Sequence, residues 1–405
     1  MVDRRSFTGE PAHKDHPPST IYENFLQPAM LPLSVWESES FFSPKDYIII
    51  GSGFTGLWSA YFLKKLHPRR SVMILERGII PSGASTRNAG FACFGSLTEL
   101  LADSRLTGEK EMLELVEMRF KGLRRIRNLF SRKQIGYESK GGYELIKAEQ
   151  YTDLNGLRTQ MDHLNHLLIK ITGKQKTFQL SDSKISQFGF SGPYHLVENS
   201  LEGQLHSGKL CEALFQLVQS MGVTVLTNTE IYKLVSSADG VELQTNLPVT
   251  LRADKVLVCT NAFAKTLLPD LDIRPARGQI LLTSPVEGLK FSGCFHFEEG
   301  YYYFRNLGNR VLLGGARNKF LREEETYSVS TSAPVQDELE RFLRETVLPG
   351  ASYTIDQRWS GTMAVGKEKR PIIKKINDHL FCAVRMSGMG VALAPQVAKT
   401  VTAMM

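Results

Sequence analysis

A short stretch near residue 50 constrains the fold more than any other part of the chain. Asp46–Ile50 is a β-branched run, typical of a buried parallel strand, and the sequence Gly51-Ser-Gly53-Phe-Thr-Gly56 follows it directly. A helical pattern continues to about His67-Pro68, and the apolar run Ser71–Leu75 then completes a βαβ unit. A G-x-G-x-x-G sequence between a strand and a helix indicates a site for a dinucleotide.

Each glycine of this motif has a physical role. Gly51 allows the tight turn, Gly53 lets the backbone approach a pyrophosphate, and Gly56 lets the helix pack on the strand. The helical pattern begins at Gly56, and the helix N-terminus would face the phosphates with free N–H groups and the positive end of its dipole. Phe54 and Thr55, within the motif, are also predicted cofactor contacts. Glu76 ends the second strand about 20 residues later, where an acidic side chain accepts hydrogen bonds from a ribose 2′-hydroxyl.

The loop after Glu76 favours FAD over NAD. It runs from Arg77 to Phe91 and is dense in small hydroxyl and amide residues, which can wrap a long, extended ligand with many hydrogen-bond donors. An NAD-dependent dehydrogenase would leave this loop without a purpose. The predicted cofactor contacts in the loop are Arg77, Ser85, Thr86, Asn88, Ala89, Gly90 and Phe91.

Asp46 to Gly95, with Glu76-Arg77-Gly78 and Gly83-Ala-Ser-Thr-Arg-Asn-Ala-Gly-Phe91, resembles the D-amino-acid oxidase superfamily of flavoproteins. The most similar branches are glycine oxidase, sarcosine oxidase and gamma-glutamylputrescine oxidase. The likeness continues at His206–Leu210, Gly222–Ile231, Val258–Ala262, Arg277–Gln279, Trp359–Gly361 and Ser387–Pro395. It implies further cofactor contacts at Ile231, Thr260, Asn261, Gly388, Met389, Gly390 and Val391.

The resemblance implies an FAD-dependent enzyme that oxidises the C–N bond of a small amine or amino acid. Hydride would pass to flavin N5, and the imine product would hydrolyse. No residue is assigned as a catalytic acid or base, and His206 and His296 are expected to be structural. Oxygen or another electron acceptor is possible, because some relatives carry a lysine where this chain has Leu312. A dehydrogenase, a flavin domain acting on a modified RNA base and a non-catalytic flavin-binding module are the alternatives.

The substrate pocket departs from the family pattern. The two positions that hold carboxylate-binding arginines in glycine oxidase are Met363 and Gly388 here. Tyr303 and Arg305 share one face of the Tyr-Tyr-Tyr-Phe-Arg strand. Arg385 precedes the glycine-rich segment Ser387–Gly390, called the closing turn below. Tyr303, Arg305, Met363 and Arg385 are therefore the predicted substrate contacts. Thr362 and Met363 also stand where some relatives attach FAD through a cysteine, which predicts non-covalent FAD.

The predicted fold class is α/β, with a doubly wound Rossmann-type FAD-binding domain and an inserted mixed or antiparallel sheet for the substrate. Residues 1–43 are assigned to an N-terminal tail or arm. Residues 44–95, 205–275 and 355–405 are assigned to the FAD-binding domain. Residues 96–204, which look mostly helical, and 276–354 are assigned to the substrate domain.

Composition and charge limit the classes of partner that the chain is expected to bind. The net charge of +7 comes with no dense basic run interleaved with aromatics, so no nucleic acid partner is expected. The five cysteines are scattered without a CxxC pair, which argues against a metal site or a disulfide framework. No membrane span and no secretory signal are predicted, so the expected location is cytoplasmic. Nothing in the sequence indicates an oligomeric state.

Overall fold

The computed structural model describes residues 32–405 except residues 152, 191 and 193. Its helices are α1 (Val35–Glu39), α2 (Phe54–Leu66), α3 (Ala84–Arg87), α4 (Leu97–Thr107), α5 (Glu109–Leu129), α6 (Arg132–Ile135), α7 (Leu154–Thr172), α8 (Ser183–Phe188), α9 (Ser207–Ser220), α10 (Ala333–Phe342) and α11 (Gly390–Thr402). Short 3-10 helices span Ala148–Tyr151, Asn261–Thr266 and Arg317–Lys319, and a π-helix spans Leu343–Val347.

The strands form two large sheets and a small two-stranded one. They are β1 (Lys45–Ile50), β2 (Val72–Leu75), β3 (Phe91–Ala92), β4 (Gly142–Lys147), β5 (Gln179–Leu180), β6 (Tyr194–Asn199), β7 (Gly203–Gln204), β8 (Thr224–Leu226), β9 (Ile231–Ser237), β10 (Gly240–Thr245), β11 (Leu251–Val258), β12 (Arg274–Thr283), β13 (Cys294–Phe297), β14 (Tyr302–Leu307), β15 (Arg310–Gly315), β16 (Ile355–Val365), β17 (Ile372–Lys375) and β18 (Leu380–Val384).

The first sheet has the order β17-β18-β11-β1-β2-β8, and β9 and β10 extend it from β11. Strands β8, β2, β1, β11 and β18 are parallel to one another, and β17 pairs with β18 in the antiparallel direction. Ile48, Ile49 and Ile50 are all buried because both faces of β1 are covered. This is the predicted doubly wound arrangement, in which a ligand binds beyond the carboxyl ends of the strands where their order reverses.

The second sheet has the order β16-β12-β15-β14-β13-β4-β6-β5. It is antiparallel except for the parallel pair β4 and β13. Helix α10 covers one face, where Phe295, Phe304 and Phe342 belong to one buried cluster. The predicted inserted mixed sheet is therefore confirmed.

Strand pairing places β16 in the second sheet, on the other side of the division predicted at residue 355. Strand β16 was assigned to the FAD-binding domain, but it pairs with β12 from Val365 opposite Arg274 to Ile355 opposite Thr283. This long ladder of backbone hydrogen bonds fixes β16 in the second sheet, although β16 comes shortly before Ser387–Pro395 in the sequence.

The segment 96–204 also divides between the two halves of the fold. Its helix α5 packs against α11 so closely that a Cβ at Gly122 would lie 1.8 Å from the Ala392 carbonyl oxygen. Its strands β4 and β6 lie in the second sheet. The prediction of a mostly helical segment belonging to the substrate domain is correct only in part, because α5 packs beside the first sheet.

Most of the predicted N-terminal tail lies outside the described residues. In its described part, α1 buries no residue, and Trp36 is 76% exposed. Across the part of the chain that the structure describes, no helix is both long and apolar enough to cross a membrane.

Candidate active site

A cavity of about 820 Å³ lies beyond the carboxyl ends of β1 and β11 and extends to the second sheet. Gly51 and Gly53 line it after β1, Thr260 and Asn261 line it after β11, and Tyr303 of β14 lines its far part. Its volume falls within the range usual for small-molecule and cofactor sites. The cavity therefore occupies the position that the doubly wound topology predicts for a ligand.

The glycine turn after β1 shows the close contacts that the motif predicts. Gly51 has a φ of +100°, and a Cβ there would lie 3.0 Å from the Cys259 carbonyl oxygen. A Cβ at Gly56 would lie only 1.9 Å from the Gly51 carbonyl oxygen. Glycine at these positions brings the first turn of α2 onto β1, so the helix N-terminus opens at the cavity.

Glu76 connects this turn to the following loop. One of its carboxylate oxygens accepts hydrogen bonds from the Ser52 N–H at 3.0 Å and the Ser52 hydroxyl at 2.7 Å. The other oxygen accepts from the Gly78 N–H at 2.8 Å. Ser85 in the loop then accepts a hydrogen bond from the Phe54 N–H at 2.9 Å. The loop is thereby fixed across the start of α2.

Most of the predicted cofactor residues line the cavity. They are Gly51, Gly53, Phe54, Thr55, Glu76, Arg77, Ser85, Asn88, Ala89, Phe91, Ile231, Thr260, Asn261, Gly388, Met389, Gly390 and Val391. Gly56, Thr86 and Gly90 do not line it. Thr86 instead donates a hydrogen bond to the Pro81 carbonyl at 2.6 Å, and Asn88 accepts one from the Gly90 N–H at 2.8 Å. These residues shape the loop, and their contact with a cofactor stays a prediction.

The polar groups around the cavity fit an extended dinucleotide. The hydroxyls of Thr260, Thr362 and Ser387 are buried without a hydrogen-bond partner among the residues that the structure describes, and all three residues line the cavity. Buried hydroxyls are seldom left without partners, so their position indicates a polar ligand. The Arg77 guanidinium, which also lines the cavity, lies 4.4 Å from the centroid of the Phe263 ring.

Two predicted substrate residues meet beside the closing turn. A Cβ at Gly278 would lie 3.2 Å from Met363 Cε and 3.6 Å from the Tyr303 hydroxyl oxygen. A Cβ at Gly388 would lie 3.4 Å from Met363 Sδ. Tyr303 and Met363 of the second sheet therefore approach the turn that precedes α11. Burial raises the pKa of Tyr303 to about 12, so its hydroxyl stays protonated and can donate a hydrogen bond.

The structure places Arg305 outside the cavity, which argues against its predicted substrate contact. It shares a strand face with Tyr303, but its guanidinium donates hydrogen bonds to the carbonyls of Gly90 at 2.9 Å, Leu205 at 2.8 Å and Asn306 at 3.2 Å. It does not line the cavity. The loop before β3 covers this end of the strand, so Arg305 serves the backbone and not a substrate.

Arg385 is also directed away from the cavity. It donates to the Asp272 carboxylate at 2.7 Å, to the Asp272 carbonyl at 3.1 Å and to the Arg370 carbonyl at 3.0 Å. Its donors are used in these contacts and it does not line the cavity, which argues against the predicted substrate contact here too.

Three cavity residues were missed or assigned a different role. Arg317 follows β15 and lines the cavity, although nothing in the sequence pattern singled it out. His296 was expected to be structural, yet it lines the cavity with a buried Nε2 that has no partner. Burial lowers the pKa of His296 to about 4, so the ring is neutral at neutral pH. Cys93 is buried and also lines the cavity. The alternation of β13 could have indicated His296, since it pairs directly with Tyr303.

The buried carboxyl of Glu202 leads to a prediction about how the stability of the protein depends on pH. Glu202 accepts a hydrogen bond from the Phe94 N–H at 2.8 Å, and burial raises the pKa of Glu202 from 4.5 to about 8. The folded protein therefore keeps a proton that the unfolded chain releases, and this contribution to stability is lost as pH rises from 4.5 toward 8. Glu202→Gln keeps an acceptor oxygen and cannot ionise. We expect its stability relative to the unmodified protein to improve by about 2 kcal/mol between pH 6 and pH 8.

Urea unfolding at the two pH values measures this difference. Glu212→Gln, on the exposed face of α9, is the matched control and should show no such change. Equal pH dependence of Glu202→Gln and the unmodified protein would contradict the prediction.

Comparison with known proteins agrees with this geometry. A family model described as FAD dependent oxidoreductase matches residues 46–404. The probable oxidoreductase OrdL of Haemophilus influenzae is 25% identical over 366 residues, which are 86% of this chain and 80% of that protein.

Solved structures with the same architecture include L-proline dehydrogenase from P. horikoshii, with a TM-score of 0.71 and 17% identity over 89% of this chain and 92% of that one. Glycine oxidase from Geobacillus kaustophilus has a TM-score of 0.70 and 21% identity over 88% of this chain and 92% of that one. At these identities the likeness shows the fold.

Proposed function

This chain belongs to the FAD-dependent oxidoreductase family, the D-amino-acid oxidase superfamily, and on that premise we propose that it oxidises the C–N bond of a small amine or amino acid. The observation that carries the proposal is the continuity of one cavity. It runs from the glycine turn after β1 to the place where Tyr303 and Met363 meet the turn before α11. A substrate held by these two side chains would lie beside the predicted flavin contacts at Gly388–Val391.

The residues around this place would position a substrate and exclude water. Bound FAD supplies a hydride acceptor at N5, and the imine that leaves is hydrolysed by water. Met363, Phe91 and Ile280 give the cavity apolar walls, and His296 adds a neutral ring. Such a wall favours an amine in its neutral form, because burial penalises a charged one. The N-terminus of α11 would stabilise negative charge that develops beside it.

We propose that the cofactor is held without a covalent bond. Cys93 and Cys259 line the cavity, and both are fully buried thiols. Burial raises the pKa of Cys93 and of Cys259 well above the usual range, which keeps them protonated and poorly nucleophilic. Thr362 and Met363, after the Trp-Ser-Gly sequence, offer no attachment point.

The alternative is a dehydrogenase of the same fold that passes electrons to an acceptor other than oxygen. Leu312 favours it, because this side chain packs with Ile280 and Leu282 in an apolar cluster where some relatives carry a lysine. Peroxide formation in air, compared with anaerobic turnover of a dye acceptor, separates the two functions. Peroxide in proportion to substrate supports the oxidase, and turnover with the dye alone supports the dehydrogenase.

The first experiment is an absorption spectrum followed by anaerobic addition of single amines and amino acids. We expect a yellow protein whose flavin bands bleach with at least one compound, and denaturation should release all of the FAD into a protein-free filtrate. A yellow protein that no amine bleaches contradicts the proposed reaction. A colourless protein that does not take up FAD contradicts the cofactor, and colour that remains with the denatured chain contradicts the non-covalent linkage.

A further inference from the structure

The two arginines expected to bind a substrate carboxylate, Arg305 and Arg385, are both engaged elsewhere in the protein. The corresponding glycine oxidase positions hold Met363 and Gly388, which cannot bind an anion. Among the described residues, three arginines line the cavity: Arg77, Arg87 and Arg317. Arg77 lies over the Phe263 ring and pairs with Glu230, and Arg87 donates hydrogen bonds to the Ser82 and Ser360 carbonyls. Arg317 comes from the end of β15. Its surroundings show whether it can bind an anion.

The backbone turns sharply to bring Arg317 to the cavity. Strand β15 ends at Gly315 with a φ of +126°, and Ala316 follows with a φ of +59°. A Cβ at Gly315 would lie 2.0 Å from the Tyr301 carbonyl oxygen, so only glycine allows the chain to pass this close to β14. The Arg317–Lys319 helix therefore begins beside the strand that carries Tyr303.

The neighbours of Arg317 on this short helix are tied to acidic residues. Asn318 donates a hydrogen bond to the Glu298 carboxylate at 3.1 Å, and Lys319 forms an ion pair with Glu338 at 2.7 Å. Arg317 itself forms no side-chain hydrogen bond or ion pair with any residue in the described ranges. A partly buried guanidinium in a cavity, with no counter-charge on it, is suited to an anionic ligand.

Arg317 and Tyr303 both line the cavity, and Tyr303 pairs with Gly314 of the strand that leads to Arg317. Burial raises the pKa of Tyr303, and the positive charge of Arg317 acts on that pKa in the opposite direction. A planar guanidinium can bind a carboxylate through two parallel hydrogen bonds, and the protonated Tyr303 hydroxyl can donate a third. The Tyr303 hydroxyl lies at the same end of the cavity as Met363 and Gly278.

We propose that Arg317 binds the carboxylate of the substrate, with Tyr303 as the second donor, so that the substrate is an amino acid or N-substituted amino acid. This inference rests on the proposed amine oxidation and narrows its substrate class. It assigns to Arg317 a role in specificity: the residue selects amines that carry a carboxylate and holds them beside the closing turn.

The test compares Arg317→Gln with matched substrates that differ only in the carboxylate. The pairs are glycine with methylamine, N-methylglycine with dimethylamine, and L-proline with pyrrolidine. For the amino acid that reduces the flavin, we expect the half-saturating concentration to rise roughly 10- to 100-fold in Arg317→Gln, with less than about a threefold change for its amine partner. Arg317→Lys should recover part of the loss, because it keeps the charge without the planar fork.

Arg322→Gln is the control, since Arg322 is exposed and does not line the cavity. It should behave like the unmodified protein. An equal loss for an amino acid and its amine partner in Arg317→Gln would overturn the assignment and leave the proposed function in place. A preference of the unmodified protein for amines without a carboxylate would also overturn it.

A binding measurement decides the assignment even if no compound reduces the flavin. Saturation-transfer NMR compares propanoate with the uncharged propanamide. We expect the unmodified protein and Arg322→Gln to prefer propanoate, and Arg317→Gln to lose that preference. Equal binding of propanoate by Arg317→Gln and the unmodified protein would overturn the proposal, whereas failure of flavin reduction alone contradicts only the proposed function.

Discussion

Gly56→Ala should yield a protein that binds little FAD and unfolds at a lower urea concentration. The added Cβ would lie 1.9 Å from the Gly51 carbonyl oxygen, which is backbone and cannot rotate away. Helix α2 must therefore move off β1, although it buries Leu57 and Trp58 completely. Overpacking of this kind costs about 3 kcal/mol, and the displaced N-terminus of α2 would no longer face the cofactor phosphates.

Gly83→Ala is the matched control, because Gly83 lies in the same cofactor loop. Its φ is −79°, and a Cβ there would meet no atom within 4 Å. The ratio of flavin to protein absorbance and the urea midpoint should change for Gly56→Ala and stay nearly constant for Gly83→Ala. If both variants retained FAD equally, the close approach of α2 to β1 would not be what the site requires.

The glycine turn was predictable because its constraints are local. The three glycines, the flanking strands and Glu76 lie within one βαβ unit, and their roles follow from backbone geometry over a few residues. The same holds for the start of α11, because the helix begins at Gly390, inside the Ser387–Pro395 segment that carries the resemblance.

The arginines of the substrate region were not predictable in this way. Strand alternation correctly placed Tyr303 and Arg305 on one face, but it could not show that Gly90, more than 200 residues earlier, covers the Arg305 end. The position of Arg317 at the cavity depends on a positive φ at Ala316. Alanine seldom adopts this conformation, and no local sequence pattern indicates it. The side chain that reaches the cavity is decided by the packing of distant segments.

Strand β16 shows the same limit at the level of domains. Trp359-Ser-Gly361 and Ser387–Pro395 both carry the resemblance to the family. Because the two segments are near each other along the chain, both were assigned to the FAD-binding domain. The structure pairs Trp359 with Ile280 and Gly361 with Gly278 instead. Pairing between strands this far apart depends on the whole sheet and is not encoded in either strand alone.

A second large effect is expected at a buried ion pair that secures one wall of the cavity. Glu324 accepts hydrogen bonds from Arg277 Nη2 at 2.6 Å and Nε at 2.9 Å, and from Gln279 at 2.9 Å. The Arg277 and Glu324 side chains are only 7% and 1% exposed. Glu324→Gln would leave the Arg277 guanidinium buried without its counter-charge, which should lower the free energy of unfolding by about 3 kcal/mol.

Glu325→Gln, one residue away, separates burial from charge. Glu325 pairs with Arg274 at 3.5 Å, and both side chains are about half exposed, so its loss should cost less than about 1 kcal/mol. Urea unfolding of the two variants measures the difference, and equal losses would contradict it.

Arg277 also donates to the Ser330 carbonyl at 2.9 Å, next to the cavity-lining Val329. Glu324→Gln should therefore also weaken FAD retention, because the pair that stabilises the second sheet holds this segment against the cavity.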